Sequence, residues 1–147
     1  AQLGPVLGGI SWGGSLNLRI RHYLIQVRYV HALQMEDQEA GPLPSEHAWE
    51  LAPLFGLGLR GRWGWISGSF GIGLAGGVRR GDFIEIHEET GRELYERDGF
   101  YTVGFPLDLQ LFATPYACLG IGIEVFANLN LERSFFGALL AVQLGRM

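Results

Sequence analysis

The sequence predicts an all-β protein: an eight-stranded antiparallel up-and-down transmembrane β-barrel with long extracellular loops. Three observations carry this. Apolar residues recur with period 2, the mark of strands, over most of the chain. The connections between the alternating stretches are short at one end and long at the other. The surface expected of an ordinary water-soluble globule is missing: only 18% of residues are charged, mean hydropathy is +0.15, and all 11 basic residues are arginine. The 147 residues suffice for one domain, residues 1–147, with extracellular loops expected at about 36–46 and 79–99.

The strands follow in order. Residues 2–12 are glycine-rich and read as a first strand closing near Trp12, with a turn at Gly13-Gly14. In 15–21, Leu16, Leu18 and Ile20 oppose Asn17, Arg19 and Arg21. In 23–35, Tyr23, Ile25, Val27, Tyr29, His31 and Leu33 oppose Gln26, Arg28 and Ala32. Residues 49–59 set Leu51, Phe55, Leu57 and Leu59 against Glu50, Ala52, Gly56 and Gly58. Residues 66–74 set Ile66, Phe70, Ile72 and Leu74 against Ser67, Ser69, Gly71 and Gly73. In 101–113 the clean alternation runs from Tyr101 to Leu111 against Gly104, Asp108 and Gln110. In 117–129 it runs through Ile121, Ile123 and Val125 against Gly122, Glu124 and Asn128, and in 135–145 through Phe136, Leu140 and Val142. Short turns fall at 21–23, 60–62 and 114–115; the long connections fall on the opposite side.

The two faces differ in kind. One is Leu, Ile, Val and Phe at strand centre after strand centre, as a lipid-facing wall requires. The other is mostly Gly, Ala, Ser and Gln, with Arg19, Arg21, Arg28, Glu50, Asp108 and Glu124 forming an expected lumenal charge network. Eight strands leave a lumen that side chains fill. Opposite charges there must pair, because an unpaired buried charge is costly. Asp108 and Glu124 are therefore both expected to contact an arginine among Arg19, Arg21 and Arg28, and an alanine at Gly122 is expected to be mild. Aromatic residues cluster at strand ends: Trp12, Trp49 and Tyr101 toward the long loops, and Tyr23, Trp63, Trp65 and Tyr116 toward the short turns. Two such girdles flanking an apolar band fit bilayer interfaces.

The long segment 80–99 holds seven acids, Asp82, Glu85, Glu88, Glu89, Glu93, Glu96 and Asp98. Phe83, Ile84, Ile86, Leu94 and Tyr95 between them suggest a hairpin projecting past the membrane, turning at Glu89-Thr90-Gly91. Glu36, Asp37, Glu39 and Glu46 make the other long loop acidic too. The segment reads as a solvated surface, or as a contact surface for a protein partner or divalent cations.

The segment Gly120-Ile121-Gly122-Ile123-Glu124-Val125-Phe126-Ala127-Asn128-Leu129-Asn130, with Ser134-Phe135-Phe136-Gly137-Ala138-Leu139-Leu140, resembles the C-terminal part of uncharacterised small outer-membrane β-barrel proteins of the Bacteroidota and relatives. Residues Gly13-Gly14-Ser15-Leu16-Asn17-Leu18 through Val27-Arg28-Tyr29 are similar to their N-terminal part, and Gly76-Gly77-Val78-Arg79-Arg80-Gly81 to their middle. The resemblance is one of texture and has no catalytic signature. It implies a barrel in the outer membrane. Such barrels commonly end in an aromatic residue, whereas this chain ends Leu144-Gly145-Arg146-Met147.

Little in the sequence points to chemistry. His22, His31, His47 and His87 lack ligand spacing, and Cys118 is the single cysteine, so no metal site and no disulfide are expected. No Gly-x-Ser-x-Gly elbow sits between a strand and a helix, so no catalytic residue is assigned and an enzyme is not expected. A net charge of −4 and pI near 5.5 argue against nucleic acid as a partner. No cofactor is expected. The expected partners are membrane lipid and other outer-membrane proteins, the expected location is the bacterial outer membrane with a signal peptide removed, and the expected role is structural or docking. The alternative is a soluble, lipocalin-like barrel with its Leu/Ile face turned inward onto an apolar ligand.

Overall fold

The computed structural model describes residues 9–34, 44–86, 93–116 and 118–145. Among them there are strands and turns and no helix. The strands are β1 (Gly9–Ile20), β2 (Tyr23–Gln34), β3 (His47–Arg60), β4 (Gly64–Gly71), β5 (Gly73–Ile86), β6 (Glu93–Tyr116), β7 (Leu119–Asn130) and β8 (Phe135–Leu144). Every pairing is antiparallel. The pairings of β3 with β4, β4 with β6, β6 with β5 and β5 with β3 close a ring of four strands; β1, β2, β7 and β8 lie outside it.

That ring has a simple cause. β4 and β5 are successive halves of one strand line, and both halves pair with β3 in one unbroken register and with β6 in another. The interruption is at Ile72. In those registers Pro53 of β3 lies opposite Ile72, and Pro106 of β6 lies opposite Gly71. Proline has no N–H to give a ladder. Two prolines facing the same two residues from both sides remove the hydrogen bonds that would define a continuous strand there. The side-chain phase is kept: Trp65, Ser67 and Ser69 in β4 and Gly73 and Ala75 in β5 all face inward and are buried.

The strand count departs from expectation at the N-terminus as well. Gly13-Gly14 is not a turn; β1 runs straight through it and pairs with β2 from Gly9 to Ile20. Gly13 serves close approach: a Cβ there would lie 2.5 Å from the Tyr29 carbonyl oxygen. The rest of the expected first strand, residues 2–8, lies outside the described residues, as does the expected turn at Glu89-Thr90-Gly91. Among the described residues the result is seven strand lines rather than eight closing in sequence order. No ladder joins β1 to β8 among the described residues.

The sheet nevertheless curls around an interior. Arg28 of β2 reaches the Leu107 carbonyl of β6, Asn128 of β7 reaches Glu50 of β3, and Trp65 of β4 reaches Gln143 of β8. Short turns join β1–β2, β3–β4 and β6–β7 at one end, where Arg21 adopts a left-handed φ of 58°. The opposite end carries the end of β2 at Gln34 and the start of β3 at His47, the outer part of the β5–β6 pairing and the β7–β8 turn. The expected projecting hairpin is present: β5 and β6 stay paired out to Ile86 and Glu93, with register shifts near Arg80 and Phe83.

Inward glycines set how closely the strands pack. A Cβ on Gly122 would collide with the Leu111 carbonyl oxygen and lie 2.8 Å from the Phe112 ring. The expectation that alanine is mild here is therefore corrected, since a backbone atom cannot move aside cheaply. Gly68, on the outer wall, has nothing within 4 Å of its Cβ position. Gly122→Ala should lower stability by about 1–3 kcal/mol, the range typical of overpacking, while Gly68→Ala should be silent. Heat-modifiability on a detergent gel, comparing the melting of the folded band, measures both.

Candidate functional site: a filled lumen and an apolar wall

The lumen has three layers. Leu24, Trp65 and Phe112, with Ala141, close the short-turn end. Trp65 and Phe112 stack at 5.1 Å with 7° between their planes, and the indole N–H donates to Gln143 Oε1 at 3.0 Å. Val30, Ala48, Ala75, Phe100, Phe126 and Phe135 close the long-loop end. Between them lies a polar layer of Gln26, Arg28, Glu50, Ser67, Ser69, Asp108, Gln110, Glu124 and Asn128, all buried.

Arg28 is the centre of that layer. Its side chain is 1% exposed, and Glu50's is 0%. Nε and Nη2 both donate to Glu50 Oε1, at 3.0 and 2.6 Å. Nη1 donates to the Leu107 carbonyl at 3.1 Å and lies 3.4 Å from Asp108 Oδ1. The guanidinium sits 5.6 Å from the Phe126 ring centroid, a cation–π distance. Glu50's second oxygen accepts from Asn128 Nδ2 at 2.6 Å, and Asn130 donates on to Asn128 at 2.8 Å. Asp108 accepts from Gln110 at 2.7 Å, and Ser69 donates to Gln26 at 3.1 Å. One guanidinium thus ties β2, β3 and β6 together, and Glu50 extends the tie to β7.

The structure brings together part of the expected charge network. Arg28, Glu50 and Asp108 converge. Glu124 is buried on the same face but forms no ion pair with Arg19, Arg21 or Arg28 among the described residues. Arg19 stands on the inward face at the short-turn end, half-exposed, and Arg21 is exposed in the β1–β2 turn. The reason is register: Glu50 lies nearer Arg28 across the β2–β3 pairing than Glu124 does across the lumen. Sequence reasoning passed over Gln26, Gln110 and Asn128, whose signal was their inward phase within alternating strands.

Of the expected girdle residues, Trp12, Trp49 and Tyr101 fall on one row of the outer wall. Trp12 pairs with His31, His31 with Trp49, Trp49 with Gly76, and Gly76 with Tyr101. Trp12 and His31 stack at 5.4 Å, and His31 and His47 at 5.5 Å. A Cβ on Gly76 would come within 2.9 Å of the Tyr101 ring and 3.0 Å of the Trp49 ring, so the glycine lets the two aromatics meet above it. At the other end Tyr23, Trp63 and Tyr116 point outward and are exposed. Trp65 does not join them. It is 5% exposed and plugs the lumen. Between the two rows the outer wall is Leu, Ile, Val and Phe, including Leu18, Leu57, Phe70, Leu109 and Ile121.

Ion pairs organise the long-loop rim. Glu46 accepts from the Arg80 backbone N–H at 3.0 Å and from Arg133 at 2.7 Å; Arg79 bridges Asp98 at 2.6 Å and Glu132 at 3.3 Å. Its hydrogen bond to the Asp98 carboxylate raises the Arg79 pKa further above its ordinary value. Of the expected acidic surface, Asp82, Glu85, Glu93 and Glu96 are exposed on the hairpin, Asp98 is engaged with Arg79, and Glu88 and Glu89 lie outside the described residues, like Glu36, Asp37 and Glu39. Among the described residues no three His, Cys, Asp or Glu side chains are placed to hold a metal ion.

Comparison of the chain with family models, with curated proteins and with solved structures finds no match in any of the three. The likeness to outer-membrane barrels described above rests on the residues alone.

Removing one partner of a buried ion pair typically costs about 3–5 kcal/mol, because a charge is stranded. Arg28→Met should therefore destabilise the fold by that order. The triple variant Arg28→Met, Glu50→Gln, Asp108→Asn should recover most of the loss by neutralising what remains. Urea titration of the folded fraction in detergent compares the three proteins.

Proposed function

We propose that this chain is a small membrane-embedded β-barrel of the outer-membrane type, with a lumen plugged by its own side chains. It serves as a structural or docking subunit through its outer loops and its lipid-facing wall. One observation carries the reading: the protein is apolar outside and charged inside. Leu109 and Ile121 are 51% and 54% exposed at mid-strand, while Arg28, Glu50 and Asp108 are buried. In water that arrangement would leave a contiguous apolar surface far larger than monomers tolerate. In a bilayer it is the favourable one.

The dimensions support it. From Trp49 to Arg60 β3 covers about 36 Å of extended chain. At the tilt of about 40° usual in barrels this is roughly 28 Å of height, close to the apolar band about 25 Å tall of membrane barrels. The aromatic rows lie at its two ends, where interfaces select Trp and Tyr. The two apolar layers and the Arg28 network fill the lumen, which favours a plugged barrel over a channel. A lipocalin-like reading needs the Leu/Ile face turned inward onto a ligand, and that face is the outer wall.

Extraction decides between water and membrane. The folded protein should require detergent or lipid, and monodisperse folded protein in plain buffer would defeat the proposal. Planar-bilayer recordings should show no steady nanosiemens-scale pore. Ile121→Arg and Leu109→Arg should each impair assembly into vesicles by about 2–4 kcal/mol, the cost of arginine near the midplane of a barrel wall. Leu131→Arg should be neutral, because Leu131 is 94% exposed in the β7–β8 turn at the rim.

A further inference from the structure

The seven antiparallel strand lines among the described residues have a consequence for the first and last of them. Each pairing reverses direction, so after six pairings β8 runs parallel to β1. The two edges touch near the long-loop end, where a Cβ on Gly137 would lie 3.5 Å from Ser11 Oγ. Below that point a cleft of about 530 Å³ runs between them, lined by Ser11 to Asn17 on β1 and by Leu139 to Leu144 on β8, with Phe112 and Glu124 as its floor. Among the described residues no backbone hydrogen bond crosses it. Among the described residues both edges therefore present unpaired N–H and C=O groups, which cost most where water is scarce.

We infer that this seam is a docking groove for one extended strand of a partner protein. The strand enters from the short-turn end and runs antiparallel to both β1 and β8. A single strand of that direction satisfies both edges at once, whereas direct closure would need the less stable parallel pairing. The groove states the partner's chemistry. Leu16, Leu18, Leu140, Val142 and Leu144 flank it on the outer wall, so the outward residues of the strand are apolar. Ser15, Asn17 and Gln143 flank it on the inner face. Glu124 stands at its floor as a buried carboxyl group with no ion pair among the described residues, diagonal to Asp108 across the β6–β7 ladder. With Glu50 and Asp108 it makes, among the described residues, three buried acids facing one buried guanidinium, that of Arg28. An inward Lys or Arg on the strand answers that imbalance. The inference rests on the membrane reading for the outward residues alone; the edge and charge arguments stand apart from it.

The probe is a fluorescein-labelled peptide about eight residues long, alternating valine with serine and carrying one central arginine. It is added to the full chain folded in detergent micelles, and anisotropy is followed. Saturable binding is expected, at least about tenfold tighter than for the same peptide with glutamate in place of the arginine, a difference of about 1.4 kcal/mol. Glu124→Gln should erase most of that preference, and N-methylation of alternate peptide amides should abolish binding. Equal binding of the N-methylated peptide, or no saturable binding to a chain that keeps its heat-resistant folded band, overturns the inference. So does rapid disulfide formation in Ser15→Cys, Ala141→Cys with Cys118→Ser, since the edges would then meet directly. A dimer that the peptide dissociates would assign the groove to a second copy of this chain and likewise overturn the assignment to a partner. Failure of the membrane reading shows separately, as folding without detergent.

Discussion

A buried guanidinium constrains the rest of this structure. Arg28 is removed from water, so the fold has to supply partners for its guanidinium. Glu50 and Asp108 are those partners, and they come from β3 and β6, on either side of the β4–β5 line. Reaching both requires the sheet to curl, and the curl creates the lumen. The apolar layers above and below keep water away, which strengthens the attraction between the charges. Asn128 and Gln110 then occupy acceptor sites that the arginine leaves open on the two carboxylates.

With the charges committed to the middle of the lumen and two apolar layers closing its ends, the remaining large apolar side chains face outward. This inversion makes the wall and the proposed bilayer mutually dependent. The aromatic row from Trp12 through His31 and Trp49 to Tyr101 forms where the wall gives way to the charged rim. Above that row the ion pairs of Glu46 with Arg133 and of Arg79 with Asp98 and Glu132, and the Arg80 backbone N–H on Glu46, tie the end of the 35–46 connection, the hairpin root and the β7–β8 turn to one another. Partly exposed pairs of this kind contribute little stability individually. Their effect is to fix which way the hairpin leaves the sheet.

Two prolines and a pair of glycines shape the strand count. Pro53 and Pro106 deprive Ile72 and its neighbour of ladder donors without shifting register, so a single line is divided in two. Gly13-Gly14 lies within β1 because Gly13 must admit the Tyr29 carbonyl. The prolines leave the number of lines unchanged; the continuity of β1 makes it seven among the described residues, and an odd number sets the terminal strands parallel with a seam between them.

The sequence by itself determined the all-β class, the inward or outward sense of nearly every strand residue, and the separation of short turns from long loops. Those properties are local: a period of 2 is written in neighbouring residues. Trp65 belongs with them, since the alternation that turns Ile66 outward turns Trp65 inward. The phase kept from Trp12 to Ile20 runs through Gly13-Gly14 in the same way, against the turn expected there. Only the tertiary structure decided which carboxylate receives Arg28 and, among the described residues, that Glu124 has no cation beside it and that β1 and β8 do not pair. Those outcomes depend on register and on curl, which place residues 22 to 79 positions apart in the chain within hydrogen-bonding distance. Alternation fixes the face of a side chain, and the neighbours it meets across the lumen are fixed when the sheet bends.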